Sequence, residues 1–154
     1  MNKQINELHA SEVQLIYRSK IPASQRVQIC SSADAHRLFL DHWDKDTIEH
    51  VEEFKILLLN NKNIVLGIAT TSKGGTTGTV IDPRIIFQYA LKAHASAVIF
   101  AHNHPSNNPA PSEADIQITK KLTGAGAMLD VKVLDHIIVC GDGTYYSFAD
   151  EGKL

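Results

Sequence analysis

Two histidines and one aspartate lie close together in the sequence and could hold a metal ion. His102 and His104 flank a single asparagine, and Asp115 follows a proline-rich segment. Side chains two residues apart on a strand point to the same side of a sheet, so both imidazoles can converge on one point. Pro105 ends the strand there, and Asp115 lies one turn into a predicted helix, from which its carboxylate can reach back. Two imidazoles with one carboxylate are the ligands of a catalytic zinc site with water in its fourth position, so the spacing predicts a metal site that could activate a bound water.

Each of these residues also has a plain structural interpretation. An isolated His-x-His pair is more often a pair of ordinary loop histidines, and Ser112 with Asp115 has the spacing of a helix capping box. The occurrence of imidazole and carboxylate ligands at one strand–loop–helix junction favours the metal site. His136 lies inside a predicted strand. We expect it to be a hydrogen-bonded structural histidine rather than a further ligand.

Competing metal-site and serine-nucleophile motifs are absent from the sequence. The metalloprotease pattern H-E-x-x-H is missing, and its nearest fragment, Glu49-His50, has the wrong spacing. Zinc deaminases need a P-C-x-x-C pair, whereas Cys30 and Cys140 lie far apart. No G-x-S-x-G segment supplies a serine nucleophile.

Composition supports a folded domain whose metal ligands come from histidine and carboxylate. The chain of 154 residues is 44% hydrophobic, which excludes the intrinsically disordered class, and it has 8 histidines but 2 cysteines. The formal net charge of −2 argues against a protein that binds nucleic acid mainly by neutralising phosphates. Apolar runs are too short to span a membrane, and the first residues lack the apolar segment of a signal peptide. We therefore expect a cytoplasmic protein with no membrane association.

The hydrophobic pattern predicts a mixed α/β domain that positions the candidate ligands. Apolar runs bounded by turn residues predict strands at 51–60, 64–69, 96–101, 131–140 and 144–148. Asp82 before Pro83, and Ser112 before a second amphipathic segment, each begin a predicted helix. Residues 70–78 are predicted to form a loop or a distorted strand. The order β-β-α-β-α-β-β predicts a mixed sheet with helices on its faces.

The chain divides into a domain at residues 51–154 and an N-terminal extension at residues 1–50. Alternating side chains predict a strand over 11–18 in the extension. Ser31 is the predicted N-cap of a helix that is expected to run to about Glu49. We expect this extension to pack on the domain or to lead into it.

At the candidate ligands the sequence resembles a known family. The segments 101–106 (Ala-His-Asn-His-Pro-Ser) and 111–115 (Pro-Ser-x-x-Asp) are similar to the JAMM motif of the JAB1/MPN metalloprotease superfamily, and more narrowly to the bacterial RadC-like family. Shorter matches lie at 83–85, 134–137 and 146–148. The resemblance covers the chain from about residue 51 onward. It implies a cytidine-deaminase-like α/β fold of the JAB1/MPN type, and one Zn²⁺ per chain bound by His102, His104 and Asp115.

The resemblance also implies roles for a glutamate and a serine. The family pattern Glu-x-Phe at the start of a strand matches Glu52, with Glu53 as its neighbour on the other face. A metal-bound water needs such a carboxylate to take its proton and return it to the leaving amine. The alternative is that both glutamates simply cap the strand at the surface. Ser112 would stabilise the oxyanion of a tetrahedral intermediate, and the implied activity is zinc-dependent hydrolysis of peptide or isopeptide bonds in a protein or peptide substrate.

Two other functions remain open at this point. One is a DNA-repair or recombination accessory role, which the RadC-like family name carries. The helix-hairpin-helix segment of longer members is not recognisable in residues 1–50, and Lys120-Lys121 is only a minimal basic patch. The other is a non-catalytic scaffold domain, although such domains typically lack the ligands that this chain has. Asn107 stands where the family usually has glycine, without being a ligand.

Overall fold

A computed structural model describes residues 11–74 and 80–154 of the chain. Within these ranges a mixed sheet is combined with three α-helices and one short 3-10 helix. The elements are the 3-10 helix Ala23–Gln25, α1 Ser32–Asp41, β1 Glu53–Leu59, β2 Val65–Lys73, α2 Pro83–Lys92, β3 Ala97–Asn103, α3 Glu113–Met128, β4 Lys132–Val139 and β5 Tyr145–Ser147. None of the helices in the described ranges has the length and apolar character needed to cross a bilayer.

The strands form one sheet in the order β2-β1-β3-β4-β5. β3 pairs with β4 in parallel, while the other neighbours are antiparallel. The predicted mixed sheet with flanking helices is therefore confirmed. The two helices that follow β2 and β3 begin where the capping residues place them, since Asp82 accepts a hydrogen bond from the backbone of Arg84 and Ser112 from that of Asp115.

Helices cover both faces of the sheet and bury its centre. On one face Phe39 and Trp43 from the α1 region form a cluster with Leu57 of β1. On the other face, residues of α2 and α3 form a cluster with Phe54 and Phe100. Every residue of β1 and β3 is buried as a result, which explains the apolar runs at 56–59 and 97–101 within these strands. Because β3 is packed on both faces, the strand that carries His102 is held firmly in place.

The N-terminal part of the structure differs from the prediction in two ways. The strand expected at 11–18 is wrong: these residues have no regular structure and are exposed, because they do not join an edge of the sheet. Tyr17 does contact the sheet, since its hydroxyl donates to the backbone carbonyl of Leu66. Helix α1 begins after Ser31 as predicted but ends at Asp41 instead of near Glu49.

A local hydrogen bond contributes to the early end of α1. The Asp44 side chain accepts from the backbone N–H of Asp46 at 2.9 Å, which forms a turn in place of another helical turn. The segment at 70–78, predicted to be a loop or a distorted strand, begins as a distorted strand. Thr70 to Lys73 continue β2 and pair with β1, with a register shift between Phe54 and Lys55. The remainder of this prediction, residues 75–78, lies outside the described residues.

Candidate metal centre

The structure brings the three predicted ligands together at the end of β3. His102 Nε2 lies 3.0 Å from His104 Nε2 and 3.1 Å from Asp115 Oδ1, and His104 Nε2 lies 3.4 Å from Asp115 Oδ2. Two ligands of a tetrahedral zinc ion, each about 2.1 Å from the metal, lie about 3.4 Å apart. One ligand atom from each residue falls within 4.8 Å of the others, a geometry that could hold one metal ion. The chemistry and the spacing of the donors therefore fit zinc.

Asp115 is held by the cap of α3. Its backbone N–H donates to Ser112 Oγ at 3.2 Å, while its Oδ2 accepts from the backbone N–H and the hydroxyl of Ser112, both at 2.7 Å. The capping-box interpretation of these residues is therefore correct, and it coexists with the ligand geometry. Burial raises the pKa of Asp115, but the close contacts of its carboxylate with the imidazoles of His102 and His104, together with the hydrogen bond from Ser112, outweigh burial and hold the pKa far below its usual range. The carboxylate is ionised and its Oδ1 faces His102.

His104 has its outer nitrogen fixed by the backbone. Its Nδ1 lies 2.7 Å from the carbonyl oxygen of Asn108. Because a carbonyl only accepts hydrogen bonds, Nδ1 carries the hydrogen and Nε2 of the neutral ring is left for a metal. Burial lowers the pKa of His104, but the hydrogen bond to Asp115, the Asn108 carbonyl and the negative charges of Asp115 and Glu52 raise it above its ordinary value.

The two adjacent glutamates lie in different surroundings. Glu53 is buried and pairs with Lys55 at 3.0 Å and with Lys73 at 2.9 Å, so its proposed position at the surface is wrong. Burial raises its pKa, but these two lysines outweigh burial and lower it. Glu52 is half-buried just before β1, and its charge is close enough to contribute to the raised pKa of His104. Glu52 is thus the glutamate whose charge acts on a predicted ligand, whereas Glu53 is engaged by lysines.

A family model described as a RadC-like JAB domain matches residues 29–153. The chain belongs to this family. A UPF0758 protein of Flavobacterium johnsoniae is 52% identical over 101 residues, which are 66% of this chain and 44% of that protein. A UPF0758 protein of Staphylococcus haemolyticus is 40% identical over 129 residues, 84% of this chain and 55% of that protein. The chain thus spans about half the length of these relatives.

The RadC-like loop after the ligands requires an unusual backbone conformation at Asn107. This residue has φ +58°, the left-handed region that favours glycine and that asparagine tolerates better than most residues. Its side chain donates to Glu49 Oε1 and accepts from the backbone N–H of Gly141, each at 2.8 Å. Asparagine can therefore replace the usual glycine, and it joins the loop to two other segments.

Asn103, between the two histidines, is a positioning residue that the sequence did not reveal. Its side chain is fully buried on the face opposite to the ligands. Oδ1 accepts from the backbone N–H of Glu53 at 2.7 Å, and Nδ2 donates to the carbonyls of Ile48 and Val51 at 2.6 and 2.9 Å. Strand alternation alone could have placed it on that face, but not identified its partners. Asn103 thereby fixes the segment on either side of Glu52.

His136 has the structural position that was predicted, together with an unforeseen contact to a ligand. The ring is fully buried, and the group of potential ligands does not include it. Its Nε2 lies 2.8 Å from His102 Nδ1, and its Nδ1 lies 2.6 Å from Thr119 Oγ1. Burial lowers the pKa of His136 well below its ordinary value, so the ring is neutral.

Proposed function

We propose that this RadC-like domain is a zinc-dependent hydrolase of amide bonds that cleaves a peptide or isopeptide bond in a protein substrate. The observation that carries the proposal is the convergence of His102, His104 and Asp115 beside the charge of Glu52. An ionised carboxylate and two imidazole nitrogens are a suitable ligand set for one Zn²⁺. The family gives the same expectation, since JAB domains belong to the JAMM superfamily.

Each residue of the centre has a distinct proposed role. His102 and His104 would bind the zinc ion through Nε2, and Asp115 through a carboxylate oxygen. When bound, zinc supplies a Lewis acid and makes water acidic enough to be deprotonated near neutral pH. Glu52 would take the proton of the attacking water and return it to the leaving amine nitrogen.

Ser112 is the proposed hydrogen-bond donor to the oxyanion, and this role requires its hydroxyl to reorient. In the structure the hydroxyl donates to Asp115 Oδ2 at 2.7 Å. The hydroxyl would turn toward the substrate, while the backbone N–H of Ser112 continues to hold the Asp115 carboxylate at 2.7 Å. Because the carboxylate keeps this second bond, the ligand need not move when the hydroxyl turns.

We also place this activity in the cytoplasm. Cys30 and Cys140 are both free thiols, as is usual for proteins of a reducing compartment.

Metal analysis combined with a cleavage screen tests the proposal. We expect one zinc per chain in the wild type, loss of zinc in His104→Ala, and retained zinc with lost turnover in Glu52→Gln. A library of peptides and isopeptide-linked peptides serves as substrate, with and without chelator. His50→Ala and Glu151→Gln, at exposed positions, are the matched controls.

Three results would count against the proposal. Stoichiometric zinc in His104→Ala would overturn the ligand assignment, and full turnover in Glu52→Gln would overturn the role of the base. A zinc-loaded wild type that cleaves none of the amide substrates would overturn the hydrolase itself.

A further inference from the structure

A chain of buried hydrogen bonds connects one candidate ligand to another through residues that touch no metal. It begins at the backbone carbonyl of Asp115, which lies 2.6 Å from Thr119 Oγ1. Thr119 Oγ1 lies 2.6 Å from His136 Nδ1, and His136 Nε2 lies 2.8 Å from His102 Nδ1. Both Thr119 and His136 are buried. The chain therefore joins the first turn of α3 to the end of β3 without access to water.

The direction of each hydrogen bond follows from the carbonyl at one end. A carbonyl only accepts, so the single hydroxyl hydrogen of Thr119 points to Asp115. Thr119 Oγ1 must then accept from His136, which places the hydrogen of the neutral ring on Nδ1. His136 Nε2 is left with a lone pair, and it can only accept from His102 Nδ1. By this order His102 Nε2, the atom that faces His104 and Asp115, has no hydrogen.

We infer that Thr119 and His136 set the tautomer of His102, so that its Nε2 is unprotonated and directed at the metal position. The role of this tautomer rests on the proposed function, because it matters only if a metal is bound. The order of the hydrogen bonds rests on the described distances alone. Both residues are positioning residues, because neither touches the metal position or a substrate. Partners of this kind fix the orientation and the tautomer of ligand histidines, and their loss typically weakens metal affinity by about 10-fold to 100-fold.

Thr119→Val tests the order of the hydrogens without changing any ligand. Valine has nearly the shape of threonine but cannot accept from His136 Nδ1, so His136 gains a bond only by carrying its hydrogen on Nε2. That hydrogen would face His102 Nδ1 and drive the His102 hydrogen onto Nε2. Thr119→Ser keeps the hydroxyl and should behave as the wild type.

Nitrogen chemical shifts of the metal-free protein at pH 8 report the tautomer directly. We expect the hydrogen of His102 on Nδ1 in the wild type and in Thr119→Ser, and a shift toward Nε2 in Thr119→Val. The matched control is Thr123→Val, one turn further along α3, whose hydroxyl donates to the Thr119 carbonyl at 2.9 Å. It should leave the tautomer unchanged.

Zinc affinity, measured by competition with a chromophoric chelator, gives the second readout. We expect Thr119→Val to bind zinc about 10-fold to 100-fold more weakly than the wild type, and Thr123→Val and Thr119→Ser to bind it normally. His136→Gln should lose less affinity than His136→Leu, because the glutamine oxygen can accept from His102 Nδ1.

The outcomes separate this inference from the proposed function. A His102 hydrogen on Nε2 in the wild type would overturn the inference, as would an unchanged tautomer or zinc affinity in Thr119→Val. A wild type with the hydrogen on Nδ1 that binds no zinc would overturn the proposed function while supporting the hydrogen-bond order. Equal losses of zinc affinity in Thr119→Val and Thr123→Val would also count against the inference about Thr119 and His136, because they would indicate a general effect on α3.

Discussion

Asn103 Oδ1 accepts a 2.7 Å hydrogen bond from the backbone N–H of Glu53, the residue that follows the proposed base Glu52. The bond joins β3, which ends between the two histidine ligands, to the first residue of β1. With the two bonds from Asn103 Nδ2 to Ile48 and Val51, it holds the chain on both sides of Glu52. The ligands and the proposed base are thus positioned relative to each other by one amide side chain.

Asn103→Ala should destabilise the protein. The substitution removes the partner of one backbone N–H and of two carbonyls, and each such buried group costs about 1–3 kcal/mol when it is left unpaired. Because water can enter and the groups can relax, we expect a total loss of about 2–4 kcal/mol in the free energy of unfolding, measured by urea denaturation with chelator present. Asn61→Ala, in the exposed turn before β2, is the control and should change the stability little. A loss as small as that of the control would contradict the positioning role of Asn103.

Glu53→Gln should change how stability depends on pH. The pKa of Glu53 in the folded protein is below its ordinary value of 4.5 because Lys73 and Lys55 outweigh the effect of burial. Its charge therefore contributes stability above pH 4.5, and this contribution is lost as the pH falls through the lower pKa of the folded state.

We expect Glu53→Gln to lose about 1.5–3 kcal/mol at pH 7, the range for hydrogen bonds to charged groups. The difference from the wild type should shrink as the pH falls below 4.5. Urea denaturation at a series of pH values measures it. A constant difference between the two proteins across this range would show that the Glu53 charge is not responsible.

Much of the site was predictable because its parts are local in sequence. The two histidines share a face by strand alternation, and the turn from Ser112 to Asp115 follows from helix capping, so short spacings were enough. The buried strands were also predictable, because residues 56–59 of β1 and 97–101 of β3 are uninterrupted apolar runs.

The rest depends on the register between strands that are far apart in the sequence. His136 reaches His102 only because β4 pairs in parallel with β3, with a shift between Val98 and Ile99. The partners of Asn103 likewise depend on how the segment before β1 folds back. The strand expected at 11–18 failed for a related reason, since an alternating pattern becomes a strand only where its backbone pairs with a neighbouring strand, and residues 11–18 join no strand of the sheet.

Substitutions of Ser112 and Asp115 should have different effects on the helix cap and on metal binding. Ser112→Ala removes the capping hydroxyl and should cost about 1 kcal/mol, but it should keep the stabilisation that zinc adds. Asp115→Asn keeps an oxygen that can accept from the Ser112 backbone but loses the charge, so it should lose most of that added stabilisation. For the wild type the zinc increment should be about 2.7 kcal/mol at a free zinc concentration 100 times Kd.

Urea denaturation with chelator measures the free energy of unfolding of each variant without metal. The same measurement with buffered zinc gives the stabilisation that zinc adds. An undiminished zinc increment in Asp115→Asn would mean that the aspartate serves only the cap. Loss of the increment in Ser112→Ala would mean that the cap and the ligand cannot be separated.

Two glycines of α3 provide a matched test of how this helix packs on the sheet. A Cβ at Gly126 would lie 2.5 Å from the carbonyl oxygen of Val131 and 3.0 Å from Val133 Cγ2, whereas a Cβ at Gly124 would have no neighbour within 4 Å. Gly126→Ala should therefore push α3 away from the start of β4 and cost about 1–3 kcal/mol, as overpacking usually does. Gly124→Ala should instead stabilise the protein by up to about 1 kcal/mol, because alanine is the better helix former. Thermal and urea denaturation of the two variants measure the difference, and equal effects would mean that α3 does not pack as closely on this edge as the structure requires.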